Sequence, residues 1–367
     1  MQRRSQVGTS PHGYWRGVGI AVLLATLCGS GPLAGEAGQA LPLAAARCRA
    51  QGASDVGHRQ AAAAAMSLVD LGTLDGNSTA AAGINARGMV VGTARRFHAF
   101  RFWHHDMRNL GTLGGEISAA ASINERGEIA GGSQVVAAPN APFHAFLYRD
   151  GTMTDLSPLL GAQSSFAYAI NEQGWVAGDA TAANGLDHAF LLTQHDHLDL
   201  GTLGGSFSIA YGINAGGQVV GQAETAATAR HAFRYADGRM DDLGTLGGET
   251  SSASGINGRG TIVGSADTAS GRAHAFLYRQ GRMDDLGTLP GGTVSEALAI
   301  NDQGWVAGDS DAAGGYRHAV LWRDGMTIDL GAIAGAAFSS ATALSEAGVI
   351  AGYSQASSGE FHAVEWR

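Results

Sequence analysis

The sequence contains no lysine, and all 23 of its basic residues are arginine. A lysine Schiff base and a phosphate-loop lysine are therefore excluded. Cysteine is nearly absent: Cys28 and Cys48 are the only two. Proline is scarce, at 7 residues. Only 15% of the chain is charged, and acids outnumber bases to give a net charge of -9. That balance argues against a nucleic-acid surface. No apolar run is long enough to cross a bilayer as a helix. Against these shortages stand 56 glycines and a 45% hydrophobic content. This is the composition of many short strands joined by glycine turns, not of a disordered chain.

Residues 1–40 read as an export signal. Arg3, Arg4 and Arg16 give it a positive start, Gly17 to Leu27 is a short apolar run, and cleavage is expected after Ala37 or Ala40. Gln6 stands where a twin-arginine signal carries phenylalanine, so the general export route is favoured. Leu27, directly before Cys28, argues against a lipoprotein. Removing residues 1–40 takes away Arg3, Arg4, Arg16 and Glu36. The remainder has 20 arginines against 31 acids, a net charge of -11. Cys48 is then alone, which excludes an intrachain disulfide. Residues 41–65 read as an Ala-rich, disordered linker. The expectation is a secreted or periplasmic monomer with no membrane span after signal cleavage, no cofactor and no nucleic-acid partner.

Residues 66–367 are one unit repeated. Its first piece is a small-residue strand ending in Ile-Asn, at Asn85, Asn124, Asn171, Asn214, Asn257 and Asn301, with Leu344-Ser345 as a degenerate seventh. Successive copies lie 39, 47, 43, 43, 44 and 44 residues apart. Five residues before each Ile or Leu stands a hydroxyl: Thr79, Ser118, Ser165, Ser208, Ser251, Ser295 and Ser339. Glycine follows each Asn or Ser three residues later, for example Gly88, which is tight-turn chemistry leading into a second strand. The third piece is His-Ala-Phe or a near relative, at His98, His144, His188, His231, His274, His318 and His362. Period-two alternation puts its large residues on one face and alanine on the other. The fourth piece, Asp-Leu-Gly-Thr-Leu or close to it, begins at Asp70, Asn109, Asp155, Asp199, Asp242, Asp285 and Asp329.

Four short strands in about 43 residues is the size of a β-propeller blade. The tight reversals exclude a β-helix. The pattern begins with an orphan fourth piece and ends with a third, so the expected fold is an all-β, seven-bladed propeller. In it the N-terminal strand joins the C-terminal blade and removes the open edge. At His-Ala-Phe and Asp-Leu-Gly-Thr-Leu-Gly-Gly the chain resembles the HAF-repeat family of extracellular bacterial proteins. Val320, Val364 and Asp155 to Leu159 depart from that pattern. The resemblance implies secretion and carries no catalytic or binding residues with it.

Groups repeated in every blade read as structural, because a catalytic base is needed once. The histidines are expected to make a blade-to-blade or strand-to-loop hydrogen bond, and the aspartates to act as loop or turn acceptors, with pairing to the histidines as one option. The hydroxyls are expected to be structural, with the channel wall as the alternative. The clusters His104-His105-Asp106 and His195-Asp196-His197 fall in turns, too open for a closed metal site. Variable loops from second to third strand share a face with the Gly-Gly loops. Glu224, Asp179, Asp187, Asp267, Asp309 and Asp311 are expected there as a solvated rim. The sequence thus suggests a non-catalytic scaffold that binds a glycan or protein partner through this face. A polysaccharide hydrolase or lyase is the alternative.

Overall fold

The computed structural model describes residues 66–367 except 75–77, 95–97, 183 and 335. The export signal at 1–40 and the linker at 41–65 lie outside the described residues. Twenty-eight strands form seven four-stranded antiparallel sheets arranged as a seven-bladed β-propeller. Blades 1 to 6 span 79–109, 118–155, 165–199, 204–242, 247–285 and 295–331. The seventh sheet has the order Leu68–Gly72, Phe361–Trp366, Ile350–Gln355, Ser339–Leu344. Its outer strand comes from the N-terminal end of the described chain and pairs Leu68 with Trp366 and Asp70 with Val364.

Local chemistry builds each blade. Asn85 closes the first hairpin: its carbonyl accepts from Gly88 N at 2.9 Å and its Oδ1 from Met89 N at 3.0 Å. Gly88 there has φ 79°, which glycine adopts without strain. The third-to-fourth turns are two-residue primed turns, as at Asp150-Gly151 with φ 51° and 81°, except in blade 3, where Gln194 and His195 keep negative φ. Every innermost strand carries a bulge, which in blade 1 falls between Ala81 and Gly83. That bulge presses the inner strand onto the second. A Cβ on Gly92 would lie 2.0 Å from the Ala80 carbonyl oxygen, and one on Gly264 equally close to that of Ser252. The second-strand glycine is a packing requirement.

The core is divided among the blade interfaces. Phe100 and Phe102 pack on Ala343, Ala351 and Ala363 of blade 7, while Ala99 receives Ile129 and Phe146 of blade 2. Each third strand thus turns a large face to the preceding blade and a small face to the next. Burying each such phenylalanine contributes roughly 1.5–3 kcal/mol. The hairpin turns occupy one face of the ring. The second-to-third loops and the crossovers between blades occupy the other, where Gly115 N donates to Gln134 O at 3.0 Å and Thr181 N to Ser164 O at 2.9 Å. The only helix among the described residues, Ser157–Leu160, lies in the crossover from blade 2 to blade 3. No helix among the described residues is long and apolar enough to cross a membrane.

Candidate functional site: the loop-face end of the channel

The repeated polar groups are engaged with one another. In six blades the third-strand histidine Nδ1 meets the fourth-strand aspartate. The distances are 2.8 Å for His144–Asp155, 2.9 Å for His188–Asp199, 2.8 Å for His231–Asp242, 2.8 Å for His274–Asp285, 3.0 Å for His318–Asp329 and 2.8 Å for His362–Asp70. The same carboxylates accept the amide two residues on, for example Gly244 N to Asp242 Oδ1 at 2.8 Å, and so launch the crossover. Blade 1 has Asn109 in this place, which keeps the amide bond from Gly111 at 2.8 Å. No His98 pair forms there among the described residues.

The hydroxyls are buried staples and do not line the channel. Ser118 Oγ accepts from Ala99 N of the preceding blade at 2.9 Å and donates to Gly111 O at 2.6 Å. The asparagines do more than close turns. Each Nδ2 donates to the carbonyl of its counterpart in the next blade. Asn85 to Asn124, Asn124 to Asn171, Asn171 to Asn214, Asn214 to Asn257 and Asn257 to Asn301 are each 3.1 Å, and Asn301 to Ser345 is 3.3 Å. This belt runs around the hairpin end of the channel and stops at Ser345, which has no amide to continue it.

The two histidine clusters sit in turns, where His104 stacks on Trp103 at 4.3 Å and Thr193 N bonds Asp196 O at 2.8 Å. No three His, Cys, Asp or Glu side chains group for a metal among the described residues.

Two of the acids expected on a solvated rim, Asp179 and Asp309, require correction. Asp179 and Asp309 lie inside the second strands Val176–Thr181 and Val306–Asp311, not in loops. Those strands outrun the Val-x-Gly segment, so the acids are carried inward beside the inner strand. Glu224, Asp267 and Asp311 also lie on second strands and grip the incoming crossover. Glu224 Oε2 accepts from Ser206 N and Oγ at 2.7 Å each, and Asp267 Oδ2 accepts from Thr250 Oγ1 at 2.7 Å. The Ser206 bonds hold Glu224 below its ordinary range. Burial pulls Asp311 upward, but the Val294 and Thr293 amides outweigh it and hold that carboxyl low.

The inner strands enclose a channel cavity of about 260 Å³, bounded towards the hairpin end by the Ile-Asn isoleucines and Leu344. Above them the repeat fails. The residue after each inner-strand hydroxyl pairs across to the second strand as Ala80–Thr93, Ala119–Gly132, Phe166–Asp179, Ile209–Gln222, Ser252–Ser265, Glu296–Asp309 and Ser340–Tyr353. No two pairs are alike.

Two of these blades carry acids at this register, Asp309 buried and Asp179 and Glu296 half-buried. In blade 6, Asp309 Oδ1 receives Arg317 Nε at 2.7 Å and Nη2 at 2.5 Å, and its Oδ2 receives Ser340 Oγ at 2.6 Å. Arg317 Nη2 also lies 3.7 Å from Glu296 Oε2. Burial raises both carboxyls, and the Asp309 charge raises Glu296 further. Arg317 and Ser340 stabilise Asp309 as the ionised member, which leaves the shared proton on Glu296. In blade 3, burial and then the Asp187 charge raise Asp179 to about 7, opposed by a hydrogen bond from Tyr168. Tyr168 packs against Phe166 at 4.7 Å and against Tyr211 of blade 4 at 5.4 Å. Both tyrosines line the channel.

No family model matches the chain, and no curated protein matches it. Solved structures do. Puromycin hydrolase is 12% identical over 80% of this chain and 52% of its own, with a TM-score of 0.53. TolB from Acinetobacter baumannii is 12% identical over 65% and 63%, with a TM-score of 0.45. The gluconolactonase XC5397 from Xanthomonas campestris is 11% identical over 84% and 94%, with a TM-score of 0.44. The chain thus spans about half the length of puromycin hydrolase and 63% of that of TolB. At these identities the likeness is one of fold.

Proposed function

We propose that this chain is a secreted member of the HAF-repeat family and a non-catalytic scaffold. It binds a glycan or protein partner at the loop face, around the channel mouth. One observation carries the reading: the side chains that depart from the repeat gather at that end of the channel, while the repeated polar groups hydrogen-bond one another. A rigid ring with one variable face is a recognition surface. The test is a glycan-array screen and a pull-down from growth medium, run beside hydrolysis assays on the same glycans. Binding without turnover supports the scaffold.

A specific pair favours a second reading, a polysaccharide hydrolase or lyase. Glu296 and Asp309 are cross-strand neighbours that occur in one blade only, with the proton biased to Glu296. A general acid needs that arrangement. Turnover abolished by Glu296→Gln at unchanged folding would establish this reading and reject the scaffold.

A further inference from the structure

Blades 3 and 6 place acids at the same register, and the comparison shows what blade 3 is missing. The second-strand residue is Asp179 in one and Asp309 in the other, each opposite the inner strand. The residue before the third-strand histidine is Asp187 in blade 3 and Arg317 in blade 6. In blade 6 this arginine neutralises the buried Asp309 with two N–H bonds. In blade 3 the same position adds a second carboxylate. Asp187 receives Thr181 Oγ1 at 2.9 Å, and Asp179 Oδ1 is buried without a hydrogen-bond partner. No arginine pairs with Asp179 among the described residues. A buried carboxylate oxygen left without a donor is costly, and a planar guanidinium is the group whose geometry best relieves it.

We propose that the blade-3 cluster of Asp179, Asp187 and Tyr168 takes a guanidinium group, the arginine side chain of a protein partner docked on the loop face. Arg317 on Asp309 is the intramolecular image of that contact. Tyr168 meets Asp179 through its hydroxyl, and its ring is held by Phe166 and Tyr211, so the acids sit against a fixed wall. The surroundings fit a protein better than a glycan. Among the described residues three of the five exposed large apolar side chains lie on this same face: Val136 and Leu186 on the second-to-third loops of blades 2 and 3, and Leu159 on the crossover helix between them, with Leu186 directly preceding Asp187. Exposed apolar groups around a charged anchor are the usual make-up of a protein interface.

The inference rests on the loop-face reading above and narrows it to one partner chemistry. The test titrates N-acetyl-arginine amide into the full chain by calorimetry, with the neutral citrulline amide as control. Saturable binding of the arginine probe is expected, with citrulline weaker by about tenfold or more. Asp179→Asn should weaken the arginine probe by a similar factor. Asp187→Arg should abolish binding by supplying the cation from within, and should leave the melting temperature unchanged or raised.

Proton release separates binding from a structural role. The titratable groups about Asp179 are Asp187 and Tyr168 of its own blade, and Tyr168 in turn faces Tyr211 of blade 4. At about pH 6 Asp179 is largely protonated, and a bound cation favours its ionised form. Wild type should then release a proton on binding, seen as a buffer-dependent heat, and Asp179→Asn should not. A flat titration, equal binding of citrulline, or an unchanged Asp179→Asn variant overturns the proposal. A flat titration does so even if the array finds a loop-face ligand, so the two readings fail separately.

Discussion

The two ends of the channel are made from the same seven inner strands, yet they follow opposite rules. At the hairpin end six asparagines hand a hydrogen bond to the next blade at 3.1–3.3 Å, and the isoleucines before them close the cavity. At the loop end, a few residues back along each strand, the seven cross-strand pairs all differ. The bulge separates the two regimes. Below it each residue has a neighbour to satisfy in every blade, so one solution is repeated. Above it the side chains pack against the neighbouring blade in contacts that differ from blade to blade, as Phe166 does on Gly132 and Ser340 on Asp309.

That comparison can be broken at several points. The largest effect is expected at the bulge. Gly264→Ala places a Cβ against the Ser252 carbonyl oxygen, where backbone must move. A loss of about 3 kcal/mol or more is expected in denaturant unfolding.

The acid of blade 3 makes the loop end sensitive to pH. Its folded value of about 7 lies above its ordinary 3.8. The stability it contributes is therefore complete below about pH 4 and is lost as pH rises through 7. Allowing for partial exposure, roughly 2 kcal/mol is at stake. Wild type should lose melting temperature between pH 4 and 8, and Asp179→Asn should flatten that fall.

At the hairpin end, Asn214→Ala removes the donor to the Asn257 carbonyl at 3.1 Å and the acceptor of Gln218 N at 3.0 Å. It should cost about 2 kcal/mol, since both partners are left unsatisfied. The smallest effect is expected for His231→Ala. Its pair with Asp242 is partly exposed, with side chains 22% and 42% accessible. A loss of about 0.5 kcal/mol is expected in the same unfolding experiment.

Most of the scaffold was legible because repetition multiplies weak signals. One Asn-x-x-Gly is a turn among many, but the same turn at a blade-sized interval fixes four strands and their order. The pairing of histidine with aspartate was legible for the same reason. The asparagine belt was not, because Nδ2 reaches a residue 39 to 47 positions away and only the packing of successive blades brings them together. The site was least legible. Asp179 and Asp309 read as rim acids because the second strand was ended at its glycine. Their partners Phe166, Glu296 and Ser340 become visible only when the copies are aligned on the bulged inner strand and the facing blades are known. The one available signal was variability itself, at the position directly after an unvarying hydroxyl.

The proposed function puts recognition in the variable channel end and leaves the repeated groups to hold it. It is tested most directly by measuring binding of one array- or pull-down-identified partner to three folded variants: Asp179→Asn, Glu296→Gln and His231→Ala. The account expects at least one of the two channel-end variants to lose binding while His231→Ala retains it. Loss of binding in His231→Ala, with both channel-end variants binding as wild type, would contradict it.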